Sequence, residues 1–415
     1  MRIGIIGGGA AGLTASWLLS GNHQVTVFEK QARLGGHAHT VEVEQEGRVI
    51  PIEAGFEFFM ERMFPTFIRL LNLLELPLHS YSLNSVLYTT DHRRLTVMPP
   101  FNEKGIIWSA LKPYQLCNLI QLRWALAHAQ KLMDERDTTI TVEKYLETLP
   151  GSREFKEHFL FPFLLAQWCV EPEEFKQFSA YNALKYSVLN AAGGLQAPVG
   201  VEIVGGNQVY IAALAQASPR AHFKTSSDIT SITHSGNVYH VQEADGSSHE
   251  FDHLIIATSP WDAHSLLAQA QGSESTRQEL SRIDSFETVI AVHSDRRLMP
   301  AEEKYWSVVN LRYDGRYCQN TVWKKWKSAR PIFRSWVTFD AQMPDALYTL
   351  VRYRHVKINL NYYRAQKNLI ALQGHQQLWL AGLYMHDIDC HESAVVSAIH
   401  IAQKLDPHSV NLRSL

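Results

Sequence analysis

Glycines at positions 7, 9 and 12 follow Ile3, Ile5 and Ile6, and Glu29 closes the next apolar segment. Residues of these types at this spacing bind an adenine dinucleotide. Gly7 permits a tight turn after a buried strand, Gly9 lets the backbone approach a pyrophosphate, and Gly12 lets the following helix pack closely. The first amides of that helix, at Ala10 and Ala11, attract the phosphates. Glu29, with Lys30 beside it, ends the strand-like run Gln24-Val-Thr-Val-Phe28. Its carboxylate can accept hydrogen bonds from both ribose hydroxyls and would repel a 2′-phosphate, so the expected ligand is FAD or NAD.

The next residues favour FAD. Arg33-Leu-Gly35-Gly36-His37-Ala-His39-Thr40 resembles the flavin-containing amine oxidase superfamily, whose Rossmann glycines are followed by Arg-x-Gly-Gly-Arg-x-x-Thr/Ser. His37 replaces the second arginine of that pattern. Further similar stretches are Ile52-Glu53-Ala54-Gly55, Val204-Gly205-Gly206-Asn207-Gln208, Phe251 through Ser259-Pro260, Leu378-Trp379-Leu380-Ala381-Gly382, and a last helix from Ser393 to Leu405. The resemblance implies FAD contacts at Arg33, Gly35, Gly36, His37, Thr40, Gly55, Phe56, Ile229, Ala257, Thr258, Gly382, Glu392, Ser393 and Ala394. Within the superfamily, His293 to Pro300 and Asp389-Cys390-His391-Glu392 are similar to a bacterial branch of predicted NAD/FAD-binding proteins. Members are often encoded beside enzymes that modify membrane acyl chains, which suggests a lipid substrate.

Flavin reduction places negative charge at the N1 and C2 carbonyl edge. The amino end of the last helix, near Glu392 and Ser393, can stabilise it through free amides and the helix dipole. Glu392 would oppose that charge, so it is expected to turn away or to cap the helix. Tyr384, His386 and His391 follow the last strand and are candidates to shape the pocket or move a proton, although packing is the commoner use of such residues. The strand-rich region that carries a lysine in amine oxidases offers His293 here and no lysine before Lys304, which weighs against amine oxidation. His37 and His39 are read as part of the FAD loop, with no metal expected.

The elements that must position these residues follow from the order of the motifs. Cofactor pieces occur at the start, in the middle and at the end of the 415 residues. A Rossmann-type FAD-binding α/β domain over 1–80, 200–265 and 375–415 is therefore expected to interleave with a mixed α+β substrate domain over 81–199 and 266–374. The first insertion reads helical over about 104–192. The second reads as antiparallel strands over about 285–358, including Phe286–His293 and Ser335–Phe339, before a helix at Asn361–Gln373. No second Gly-x-Gly-x-x-Gly follows a strand, and neither Gly193-Gly194 nor Gly205-Gly206 has the spacing. Electrons are thus expected to come from the organic substrate and to leave to oxygen or another acceptor.

Composition fits an enzyme of this kind. With 46% hydrophobic and 19% charged residues the chain can bury sizeable cores, and a net charge of -2 gives no case for nucleic acid. Four cysteines without a C-x-x-C indicate neither a disulfide framework nor zinc. Because the first strand begins at residue 2, no signal peptide is expected; no apolar run is long enough to span a bilayer, and a cytoplasmic location is expected. Trp306, Trp323, Trp326 and Trp336 can wall an apolar tunnel or form sheet core. Trp323-Lys324-Lys325-Trp326-Lys327 resembles a membrane-interface patch, with a solvated hairpin as the alternative. Nothing in the chain specifies an oligomeric state. The leading expectation is an FAD-dependent oxidoreductase that dehydrogenates an apolar, acyl-lipid type of substrate by hydride transfer to flavin N5. The alternatives are a flavin-dependent isomerase, an amine oxidase, and a non-catalytic protein that retains FAD.

Overall fold

The computed structural model describes residues 1–102, 105–191 and 197–415; Gly193 and Gly194 lie outside the described residues. Strands β1 (Arg2–Ile6), β2 (Gln24–Phe28), β3 (Ala221–Lys224), β4 (His253–Ile256) and β5 (Leu378–Leu380) form one parallel sheet in the order β3-β2-β1-β4-β5. Strands covered on both faces need apolar side chains throughout, and Ile3, Ile5, Val27, Leu254, Ile255 and Ile256 are all buried. Three helices set the site against this sheet: α1 (Ala10–Leu19), α2 (Pro65–Leu73) and α3 (His391–Leu405). Ala394, Ala398 and Ala402 are buried on α3, where small side chains let it lie close to α1.

The second sheet has seven strands: Leu347–Val356, Ser285–His293, Phe333–Trp336, Cys318–Trp323, Val309–Tyr313, Ser85–Thr89 and Leu95–Met98, in that spatial order. It is mixed: the strands of 285–358 pair antiparallel with one another, and strands from the first insertion extend the sheet. Val309–Tyr313 runs parallel to Ser85–Thr89, a pairing that local sequence pattern cannot reveal. Phe333–Trp336 also starts earlier than the expected Ser335. The first insertion is largely helical, with Pro113–Glu135 and Ala180–Ala191 packed together, and the returning helix spans Leu360–Ala371.

Alternation along the strands selects what the second sheet turns towards the nucleotide loop. Thr288 pairs with Tyr353, Phe286 with His355, Ile290 with Trp336 and Val292 with Arg334. These residues share one face. His37 touches that face at Tyr353 and His355, with ring centroids 4.8 and 5.5 Å away.

Candidate cofactor site

The turn after β1 is built so that only glycine fits at two of its positions. Gly7 has φ +110°, and a Cβ there would lie 2.5 Å from the Ala257 carbonyl oxygen; one on Gly12 would lie 2.0 Å from that of Gly7. At Gly9 a Cβ would meet only the Gly36 Cα, at 4.0 Å. The backbone is therefore bare where a pyrophosphate would approach. The first intrahelical bond of α1 runs from Leu13 N–H to Gly9 O at 2.9 Å, so the amides of Ala10, Ala11 and Gly12 precede it. Glu29 stands beside them: its carboxylate accepts Gly8 N–H and Gln31 N–H, both at 2.8 Å. Ile229 begins a strand just beyond, where Ser227 N–H reaches Glu29 O at 2.9 Å. Thr258 follows Ala257, whose N–H donates to Ile6 O at 2.7 Å.

The loop after β2 folds back onto this turn. Gly35 N–H donates to Gly8 O at 2.8 Å, and Arg33 donates to Gly36 O at 3.0 Å. Lys30 is exposed and pairs with Asp228. The Thr40 hydroxyl is engaged inside the protein, donating to Glu53 and accepting Gln208 N–H. Burial raises the Glu53 carboxyl to about 7.

At the far end of the loop, a Cβ on Gly55 would lie 2.0 Å from His37 O, so this position too must be glycine. Phe56 N–H donates to His37 O at 2.9 Å, and the Phe56 ring stacks on His391 at 4.1 Å. His391 Nε2 meets the Tyr210 hydroxyl at 2.9 Å, and burial lowers the imidazole to about 3. Burial likewise lowers His37 to about 4 and His355 to about 3. The position that carries arginine in the resembled pattern is thus occupied by a neutral ring stacked on another neutral ring.

Helix α3 presents its amino end without a capping side chain. Glu392 turns away, as expected, and caps a different helix: its oxygens accept Thr66 N–H and Phe67 N–H at the start of α2. Ser393 donates to Ile388 O at 2.6 Å, Ala394 is buried, and Gly382 N–H donates to Ser397 Oγ at 2.9 Å.

The three candidate catalytic residues occupy separate surroundings. Tyr384 is buried with its hydroxyl unpartnered, and burial pushes its pKa up. His293 belongs to the sheet face turned away from His37. Its Nδ1 accepts Asp295 N–H at 3.0 Å and its Nε2 lies 2.8 Å from Ser335 Oγ, so both nitrogens are engaged in the sheet. Only His391 contacts the loop that carries Gly55 and Phe56. His386 packs edge-on to His400.

The tryptophans do not form one wall. Trp306 and Trp323 pack edge to face, Trp326 donates to Glu202 at 2.7 Å, and Trp336 lies under Arg334. Nor is 323–327 a membrane patch. Lys324 is 6% exposed, with Glu202 at 2.9 Å and Glu57 at 3.4 Å, and Lys327 pairs with Glu202. Arg334 continues this buried network to Glu57 at 3.7 Å and to Gly55 O at 3.2 Å. No local pattern signalled this network, because its partners are brought together only by the sheet.

The arrangement fits FAD at the adenosine end. Gly9 leaves a bare approach beside the first amides of α1, and Glu29, at the end of β2, lies where it would meet a ribose. At the other end, the uncapped start of α3 offers partial positive charge beside His391. Among the described residues no group of three or more His, Cys, Asp or Glu is placed to hold a metal, all four cysteines are free, and no helix is long and apolar enough to cross a membrane.

Comparisons agree with this architecture. The fatty acid isomerase of P. acnes that produces CLA superposes with a TM-score of 0.72 over 98% of both chains, at 14% identity. Cyclohexylamine oxidase of Brevibacterium oxydans IH-35A gives 0.70 over 98% of this chain and 99% of its own, at 16% identity. A putative protoporphyrinogen oxidase of Exiguobacterium sp. 255-15 gives 0.67 over 97% and 98%, at 15% identity. An uncharacterized protein of Methanocaldococcus jannaschii is 54% identical over 44 residues, which is 11% of either chain. Residues 10–305 match the model of the flavin-containing amine oxidoreductases. The chain belongs to that family, and it is an FAD-dependent oxidoreductase.

Proposed function

We propose that the protein dehydrogenates an apolar substrate carrying an acyl chain. The observation that carries this reading is the neutral sheet face opposite His37. It presents Phe286, Thr288, Ile290, Trp336, Tyr353 and His355, and neither Ser285–His293 nor Leu347–Val356 contains a lysine. Arg334, the cation on this face, is engaged with Glu57 and Gly55 O. A face of this kind suits a hydrocarbon chain better than an ammonium group.

When bound, the flavin would supply a hydride acceptor at N5, with reoxidation by oxygen or another acceptor. The chain does the rest. Glu29 holds the ribose, the first amides of α1 offset the pyrophosphate charge, and the amino end of α3 favours the added negative charge. The stacked Phe56 and His391 keep water out, and His391 acts as a neutral hydrogen-bonding ring with Tyr210.

Anaerobic mixing of the purified holoprotein with acyl lipids tests the reading. Stoichiometric bleaching of the oxidised flavin is expected. The second reading, isomerisation without net redox change, is prompted by the fatty acid isomerase that shares this architecture. Turnover seen only after prereduction would replace the first reading by the second.

A further inference from the structure

Helix Pro113–Glu135 packs Asn118, Ala125, Ala129 and Leu132 inward and leaves its outer ridge uncovered. Leu116, Ile120 and Trp124 recur every fourth residue, so they form a line about 12 Å long on one side of the helix. Ile120 is 70% exposed, and Trp108 on the turn just before the helix is 75% exposed. An exposed apolar strip of this kind marks a surface that meets something else.

Its charge shows what that is. From 105 to 133 the chain carries Lys112, Arg123 and Lys131 and no aspartate or glutamate. Lys112 and Arg123 are exposed along the strip, whereas Lys131 pairs with Glu135 at the far end. The acids on the neighbouring element are matched by arginines, Glu154 by Arg94 at 2.9 Å and Glu157 by Arg153 at 2.7 Å. Among the described residues the strip therefore combines tryptophans, branched aliphatic groups and a rim of Lys112 and Arg123 within a stretch, 105–133, that holds no acid, the composition of a helix that lies in a lipid headgroup layer.

We propose that this face docks on an anionic bilayer, with the helix in the plane of the interface, Trp108 and Trp124 at headgroup depth, and Lys112 and Arg123 against lipid phosphates. The docking stands apart from the substrate reading: a protein that binds vesicles yet oxidises no lipid would retain it.

The test is sedimentation of the full-length holoprotein with vesicles of phosphatidylcholine alone and of phosphatidylcholine mixed with phosphatidylglycerol. Binding is expected on the mixed vesicles and should weaken as salt rises. Trp108→Gln with Ile120→Gln should lower it by about tenfold or more, with the melting temperature and flavin spectrum unchanged. Lys112→Glu with Arg123→Glu should abolish the preference for anionic lipid. The proposal is overturned by absence of wild-type binding, by equal binding of these variants, or by concentration-dependent dimerisation that the Gln variant loses while no vesicle is bound.

Discussion

Glu392 lies in the first turn of α3, yet its carboxylate caps α2, accepting Thr66 N–H and Phe67 N–H, both at 2.8 Å. α2 begins Phe64-Pro65 without a capping side chain of its own, so this distant carboxylate satisfies two of its free amides. The same rotation removes a negative charge from the start of α3. Glu392→Ala should therefore destabilise the protein by about 1–2 kcal/mol, and Glu392→Gln by less, since one oxygen remains to accept. Thermal melts of the two variants check the order. A Glu392→Ala protein with the wild-type melting temperature would remove the cap from the account.

Gly9 and Gly12 separate binding from folding. A Cβ at Gly12 would lie 2.0 Å from Gly7 O, while one at Gly9 meets nothing closer than 4.0 Å. Gly9→Ala should fold with a near-normal melting temperature and lose FAD, because the methyl occupies the pyrophosphate approach. Gly12→Ala should lower stability by more than about 2 kcal/mol. Flavin content and melting temperature, measured together, distinguish the two.

The nucleotide turn was legible because its requirements are local: glycines at fixed spacing, a preceding apolar strand, and Glu29 at the end of the next. Strands from the start, middle and end of the chain meet in one parallel sheet, with β5 at 378–380 beside β4. The buried ion network was not legible. Trp323 to Lys327 reads as a solvated hairpin or a lipid-facing patch until Glu57 and Glu202 meet Lys324 across the fold. The exposed strip on Pro113–Glu135 was equally hidden, since its apolar spacing does not reveal which side of the helix is covered. His293 was misleading for a third reason: strand alternation, which depends on register, turns it to the face away from His37.

Glu29→Ala should weaken FAD retention by about tenfold or more, through loss of a charge-assisted acceptor at the ribose and of the bond that fixes Gly8 N–H. Gel filtration followed by absorbance of the retained flavin measures it. Unchanged retention would mean that the ribose is held elsewhere.

Acid should destabilise the protein well before its ordinary carboxylates titrate. Burial holds His37, His293 and His386 at about 4 and His355 and His391 at about 3, below the ordinary 6.5 for histidine. As pH falls, the unfolded chain takes up these protons first, so stability is full above about 6.5 and is lost progressively towards 4. Glu53 and Asp389, both raised to about 7, work the other way, because the folded state keeps protons that the unfolded chain releases above about pH 4. Five histidines against two carboxyls leave a net uptake of about three protons on unfolding near pH 5, a slope of up to about 4 kcal/mol per pH unit. Denaturant melts between pH 5 and 7 should show stability rising with pH.

Lys324 provides the last and sharpest contrast. A solvated lysine in a hairpin can be replaced at a cost of no more than about 0.5 kcal/mol. A lysine at 6% exposure between Glu202 and Glu57 cannot, because removing it leaves Glu202 with Lys327 at 3.4 Å and Glu57 with Arg334 at 3.7 Å as weaker partners. Lys324→Met should therefore cost up to about 3 kcal/mol, and adding Glu202→Gln should restore part of that loss, since the second change removes one of the under-compensated charges. The two effects should couple rather than add. Urea melts of both single variants and the double variant measure the coupling. A small cost for Lys324→Met, with no recovery in the double variant, would return residues 323–327 to the surface.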